Sequence, residues 1–183
     1  MIIFTNRKSA KMPLEMVVEN CIIKYKPNAI YLREKDLSDE EYALLAQKIM
    51  PLCKQSDTAF YICEREEIAK SLGVKNLHIS VKNISKIGTI CKFCNISVSI
   101  HNVNEVKTAI HAGATNLVFG HIFETQCKQG LPPRGLWQLE EICRVSNVPV
   151  VAIGGINSQN CNKVLECGAS DFAIMSSAMK STF

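Results

Sequence analysis

The sequence predicts an α/β fold, a compact (β/α)8 barrel of the TIM type with a shortened or missing final helix. Three observations predict it. Eight short apolar, β-branched runs recur along the chain, segments with helical spacing separate most of them, and the runs are apolar on both faces, as strands of a covered parallel sheet are. The same alternation fits a doubly wound open sheet, and the count of eight favours the barrel. With 183 residues and 47% hydrophobic content, the chain supports one substantial core and reads as a single domain over residues 1–183. Barrels of this kind usually need roughly 250 residues, so the loops must be short except where function lengthens them.

The strands are expected at IIFT from Ile2, AIYL from Ala29, AFYI from Ala59, NLHIS from Asn76, NISVSI from Asn95, NLVFG from Asn116, VPVVAIGG from Val148 and DFAIM from Asp171. The clearest helices are DEEYALLAQKIMPLC from Asp39, NEVKTAIHAGA from Asn104 and NSQNCNKVLECGA from Asn157. Ser38 with Glu41 fits a capping box ahead of an acidic first turn, and Asn157 or Ser158 suits an N-cap. Gly73, Gly113 and Gly168 each follow a helical run and precede a strand, where a left-handed residue is expected. After the eighth strand only SSAMKSTF follows, enough for one helical turn. A partner subunit in a homodimer or higher homo-oligomer would cover the outer face left bare there.

A formal charge of +4, with 21 basic residues scattered among 17 acids, gives no support to nucleic-acid or membrane-surface binding. An anionic small molecule remains easy to accommodate. Nine cysteines occur without a signal-peptide pattern, so a cytoplasmic location with reduced thiols is expected. Cys91 and Cys94 form a CxxC, but no second pair lies at ligand spacing, and small buried thiols are the simpler expectation. No run approaches the roughly 20 apolar residues of a membrane span.

Barrels of this kind carry their chemistry at the C-terminal ends of the strands. Arg33-Glu34-Lys35 follows the second strand, Glu64-Arg65 the third, Ser99 and His101 close the fifth, and His121 opens a long loop after the sixth. Gly154-Gly155 follows the seventh strand and Ser176-Ser177 the eighth, where unpaired backbone N–H groups suit a phosphate. A tight turn explains two glycines equally well. Imidazole exchanges protons near neutrality, so His121 is a candidate acid/base; it could equally pack beneath its loop. His78 and His111 read as structural or exposed, and His101 as a capping candidate. Lys128 and Arg134, with Arg33 and Lys35, form either a solvated rim or a field that draws in a substrate bearing phosphate and carboxylate.

YLREKDLS (31–38), SVSIH (97–101), GHIFETQCKQGLPPRG (120–135) and VPVVAIGGI (148–156) resemble the thiamine phosphate synthase family of barrels, and most closely its thiazole tautomerase (TenI) branch. The resemblance implies magnesium-binding acids after strands three and four in the synthases. This chain has Cys63-Glu64-Arg65 and Val81-Lys82-Asn83 at those places, which predicts no metal and no cofactor. Where the synthase pattern has Pro after the glycine, this chain has His121.

The resemblance therefore implies an isomerase, a thiazole tautomerase that aromatises a thiazole phosphate carboxylate with His121 moving the proton. Gly154, Gly155, Ser176 and Ser177 would hold the phosphate, Arg33, Lys35 and Lys128 the other anionic group, and Ser99 and Thr125 would supply hydrogen bonds. Two alternatives stand beside it: a thiamine phosphate synthase with Glu64 recruited to a metal, and a non-catalytic regulatory protein that binds thiazole phosphate.

Overall fold

The computed structural model describes residues 1–89 and 93–180, with side chains throughout except at 86–89. Its strands are β1 (Ile2–Phe4), β2 (Ala29–Leu32), β3 (Ala59–Cys63), β4 (Asn76–Ser80), β5 (Asn95–Ile100), β6 (Asn116–Gly120), β7 (Val150–Ile153) and β8 (Asp171–Ile174). They follow one another in chain order around a closed parallel barrel. The helices are α1 (Leu14–Tyr25), α2 (Asp39–Gln55), α3 (Glu66–Ser71), α4 (Asn104–His111), α5 (Gly135–Val145), α6 (Cys161–Glu166) and α7 (Ser176–Met179). All eight expected strands are present, and the final helix is a single turn. Between β4 and β5 the chain winds as 3₁₀ turns over Val81–Thr89.

The residues divide into two compact units, Met1–His78 with the chain from Met175, and Ile79–Ile174. In the first, Ile3 pairs with Ile30 and Ile30 with Phe60, and Ile3, Ile30, Leu32, Ile62 and Leu77 are fully buried. Aromatic rings fill the space between these strands: Phe4 meets Tyr31 edge-on at 4.5 Å and His78 at 5.2 Å. Such edge-on pairs place a positive ring edge on a negative face. The capping box starts α2, with Glu41 N donating to Ser38 Oγ at 3.2 Å and Ser38 N to Glu41 Oε2 at 2.9 Å. Buried Tyr42 on that helix donates its hydroxyl to Leu32 O and accepts from Cys63 N at 3.1 Å, joining α2 to β2 and β3. Cys21 Sγ of α1 lies 3.7 Å from Ala178 O, so α7 packs against α1.

In the second unit, Val118 pairs with Val151 and Ala152 with Phe172. Val98, Leu117, Phe119 and Ala152 are fully buried. Gly73, Gly113 and Gly168 have the expected positive φ. The start of α6 differs from expectation. Asn157 closes a turn, accepting from Gln159 N at 2.9 Å and donating its own amide to Asn160 Oδ1 at 2.8 Å, and the helix begins only at Cys161. Among the described residues no helix is long and apolar enough to cross a membrane. Cys91 lies outside the described residues; Cys94 is exposed, not the buried thiol expected, because it stands just before the exposed start of β5.

Candidate active site

Of the predicted site residues, Arg33, Lys35, Ser176 and Ser177 belong to the first unit, and His121, Ser99, Thr125, Lys128, Gly154 and Gly155 to the second. In the second unit the site begins where β6 ends. A Cβ on Gly120 would come within 2.1 Å of Ile153 O, so only glycine lets this strand end lie against β7. His121 follows and is 6% exposed. Its backbone oxygen accepts from Arg134 N at 3.0 Å, and Ile122 O accepts from Gly135 N at 3.1 Å, so the loop leaves and returns at one place.

The imidazole Nε2 of His121 lies 3.3 Å from Leu131 O, near the loop's far end. A carbonyl only accepts, so Nε2 is the donor in this contact. Nδ1 is buried with no partner among the described residues. Thr125 is spent locally: its Oγ1 accepts from Cys127 N at 3.4 Å and caps the 3₁₀ turn Gln126–Lys128, leaving Lys128 exposed at the turn's end.

Gly154 and Gly155 have φ of 104° and 67°. A Cβ on Gly154 would stand 2.3 Å from His121 Cβ, and one on Gly155 2.4 Å from Glu124 O. The pair is therefore required by the close packing of the His121 loop, the alternative to a phosphate role that two glycines always carry. Ser99 is half-buried in β5 opposite Val118. His101 does not cap α4: Val103 stands at the N-cap, and Asn102 Oδ1 before it accepts from Glu105 N at 3.2 Å. Burial pushes the His101 imidazole down, with the charges of Arg134 and Lys128 adding to the effect and Glu105 opposing it. Arg134 Nε also donates to His101 O at 2.8 Å.

In the first unit, after β2, Arg33 is half-buried, Glu34 is 3% exposed, and Lys35 and Asp36 are exposed in a turn. Glu34 Oε1 accepts from Thr5 Oγ1 at 2.7 Å, and both its oxygens accept from Arg7 N, at 3.0 and 3.1 Å. Burial raises the Glu34 carboxyl above the usual range, while Thr5 and Arg7 oppose the rise. Burial also holds His78 neutral, its pKa pushed down to about 3 with Arg33 and Lys35 adding to the effect. The same two cations act on buried Cys63, whose thiol burial pushes up. Ser176 and Ser177, half-buried, open α7.

The residues do not fit a carboxylate-held magnesium. Glu64, after β3, stands exposed in the left-handed region at φ 64°. The place after β4 holds exposed Lys82 and half-buried Asn83, whose amide Nδ2 lies 3.5 Å from Ser80 Oγ. Among the described residues no three His, Cys, Asp or Glu side chains gather as a metal would require. Sequence reasoning missed Thr5 and Glu34.

A family model described as thiamine monophosphate synthase matches residues 1–178. The chain is 36% identical over 156 residues to the thiamine-phosphate synthase of Methanococcus vannielii, covering 84% of this chain and 76% of that one. It is 33% identical over 156 residues to that of Methanococcus maripaludis strain C5, covering 84% and 75%. A solved structure, thiamine phosphate pyrophosphorylase from Pyrococcus furiosus, matches with a TM-score of 0.87 and 26% identity, over 97% of this chain and 86% of that one.

These names overturn the isomerase reading. The relatives carry the synthase name, a transferase rather than a thiazole tautomerase. In the structure the His121 ring is buried and its Nε2 lies against Leu131 O, so the imidazole also serves within its loop. Fold, family model and sequence identity agree, and the chain belongs to the thiamine monophosphate synthase family.

Proposed function

We propose that this chain is a thiamine-phosphate synthase, joining a pyrimidine that carries a pyrophosphate leaving group to a thiazole phosphate. The observation that carries the reading is the identity of 33–36% with relatives of that name over most of both chains. The basic residues support it. Both substrates are anionic, and pyrophosphate gains charge on the bridging oxygen as it departs, so cations held near it favour departure over the bound ground state.

Arg33 and Lys35, whose charges both reach His78 and Cys63, are assigned to the pyrophosphate. Lys128 and Arg134, whose charges both reach His101, are assigned to the second anion. Because the residues after β3 and β4 do not fit a metal, no step is routed through one. The neutralisation is given to side chains, with Arg33 offering a planar fork to two phosphate oxygens and Lys35 a point charge.

The test is direct. Purified protein, supplied with the pyrimidine pyrophosphate and the thiazole phosphate with and without Mg2+, is expected to release thiamine phosphate and pyrophosphate, followed by chromatography. Arg33→Ala should raise KM for the pyrimidine substrate about tenfold or more, the loss of one charge-assisted contact. Binding of both compounds without product under either condition would sink the reading.

A further inference from the structure

We propose that Thr5 and Glu34 are positioning residues, a buried hydroxyl–carboxylate pair that sets Arg33 and Lys35 for binding a pyrophosphate group. The proposal deepens the synthase reading, resting on its assignment of those two cations.

Thr5 is fully buried just beyond β1, and its hydroxyl is used twice. It donates to Glu34 Oε1 at 2.7 Å and accepts from Arg33 N at 2.9 Å. Thr5 N meanwhile donates to Tyr31 O at 3.0 Å, carrying the β1–β2 ladder one residue past the strand. Glu34 takes the amide of Arg7 on both oxygens, and Arg7 Nε lies 4.0 Å from Oε2. Farther out, Asp36 pairs with Arg7 at 2.5 Å and with Lys8 at 3.1 Å. The segment after β1 is thus fastened to the segment after β2 at successive points.

The consequence for Arg33 and Lys35 is geometric. Thr5 holds the Arg33 amide and Arg7 N holds the Glu34 carboxylate, so the backbone that carries Arg33 and enters the turn at Lys35 is fixed at two points. The choice of a carboxylate calls for a reason. A buried charge costs more than the hydrogen bonds of a neutral staple recover, and replacing such a group by a neutral one is often stabilising. Here the carboxylate answers Arg7, whose amide reaches both oxygens and whose Nε lies 4.0 Å from Oε2, so its charge strengthens the fastening of the segment that carries Arg33.

The experiment titrates inorganic pyrophosphate into the full chain by calorimetry, for wild type, Thr5→Val, Glu34→Gln, Arg33→Ala and the double variant Glu34→Gln/Arg33→Ala. Thr5→Val and Glu34→Gln should each weaken binding about five- to tenfold, the loss expected when a charge-assisted contact is misplaced. In the Arg33→Ala background, Glu34→Gln should cost less than about twofold, since a residue that acts through Arg33 has nothing left to act through. Hydrogen exchange should report a faster Arg33 amide in Thr5→Val, which has nearly the native shape.

Wild-type affinity in both single variants, an undiminished loss in the Arg33→Ala background, or no pyrophosphate binding by the wild type would each overturn the proposal. If the binding pattern holds and no thiamine phosphate forms, the synthase reading falls and the positioning pair stands.

Discussion

His121 Nε2 and Leu131 O, 3.3 Å apart, join the first residue of the β6–α5 loop to its far side. The bond spans the 3₁₀ turn at Gln126–Lys128, so the imidazole acts as an internal strut for a segment that is otherwise exposed. His121→Ala is expected to speed amide exchange across 126–134 and to lower stability by about 1–2 kcal/mol, the cost of a lost hydrogen bond and its packing. Unchanged exchange in that loop would remove the strut.

The two kinds of glycine separate cleanly. Gly73 has φ 68° and nothing within 4 Å of a Cβ placed on it, whereas Gly154 has φ 104° and His121 Cβ at 2.3 Å. Gly73→Ala should therefore cost only backbone strain, about 1–2 kcal/mol. Gly154→Ala should add a steric term, for a total above about 3 kcal/mol, with the His121 loop displaced. Urea unfolding of the two variants makes the comparison; equal losses would mean that the loop yields freely.

Tyr42 offers a test of buried polar pairing. Its hydroxyl serves Leu32 O and Cys63 N together, and burial pushes the phenol's acidity far out of the neutral range. Tyr42→Phe keeps the ring and leaves an N–H and a carbonyl unpaired in the core. A loss of about 2–4 kcal/mol is expected by denaturant titration.

His78 predicts the acid side of the stability curve. Its folded pKa of about 3 lies below the ordinary 6.5, so the unfolded chain takes up the proton first. The stability it contributes is whole above about pH 6.5 and is lost as pH falls toward its folded pKa, at up to about 1.4 kcal/mol per pH unit. Glu34, with its raised carboxyl, contributes in the opposite sense, becoming less costly to bury as pH falls. The difference between wild type and His78→Phe isolates the histidine. Phenylalanine suits the ring contacts with Phe4 and Tyr31, and the variant's stability should fall less steeply between pH 6.5 and 4.

Much of the fold was legible because local chemistry and tertiary demand agree. Ser38 and Glu41 announce a helix start in any context, and Gly73, Gly113 and Gly168 answer a backbone requirement of their own turns. Asn157 misled because an asparagine that closes a turn and one that caps a helix look alike in sequence, and only the third residue on decides. Arg33 and Lys35 stand where strand ends predict, but Glu34 was passed over because its partners, Thr5 and Arg7, lie 29 and 27 residues away. His121 was given chemistry on its residue type, whereas its distance to Leu131 is a property of a folded loop.

The first unit holds Met1–His78 together with the chain from Met175, while the second is one unbroken stretch from Ile79 to Ile174. On the ribosome, that difference sets an order. The second unit draws its internal contacts from one continuous stretch, but in the first, Cys21 of α1 stays uncovered until Ala178 has been made. The unit whose synthesis begins first therefore gains its last internal contacts after the whole of the second has emerged.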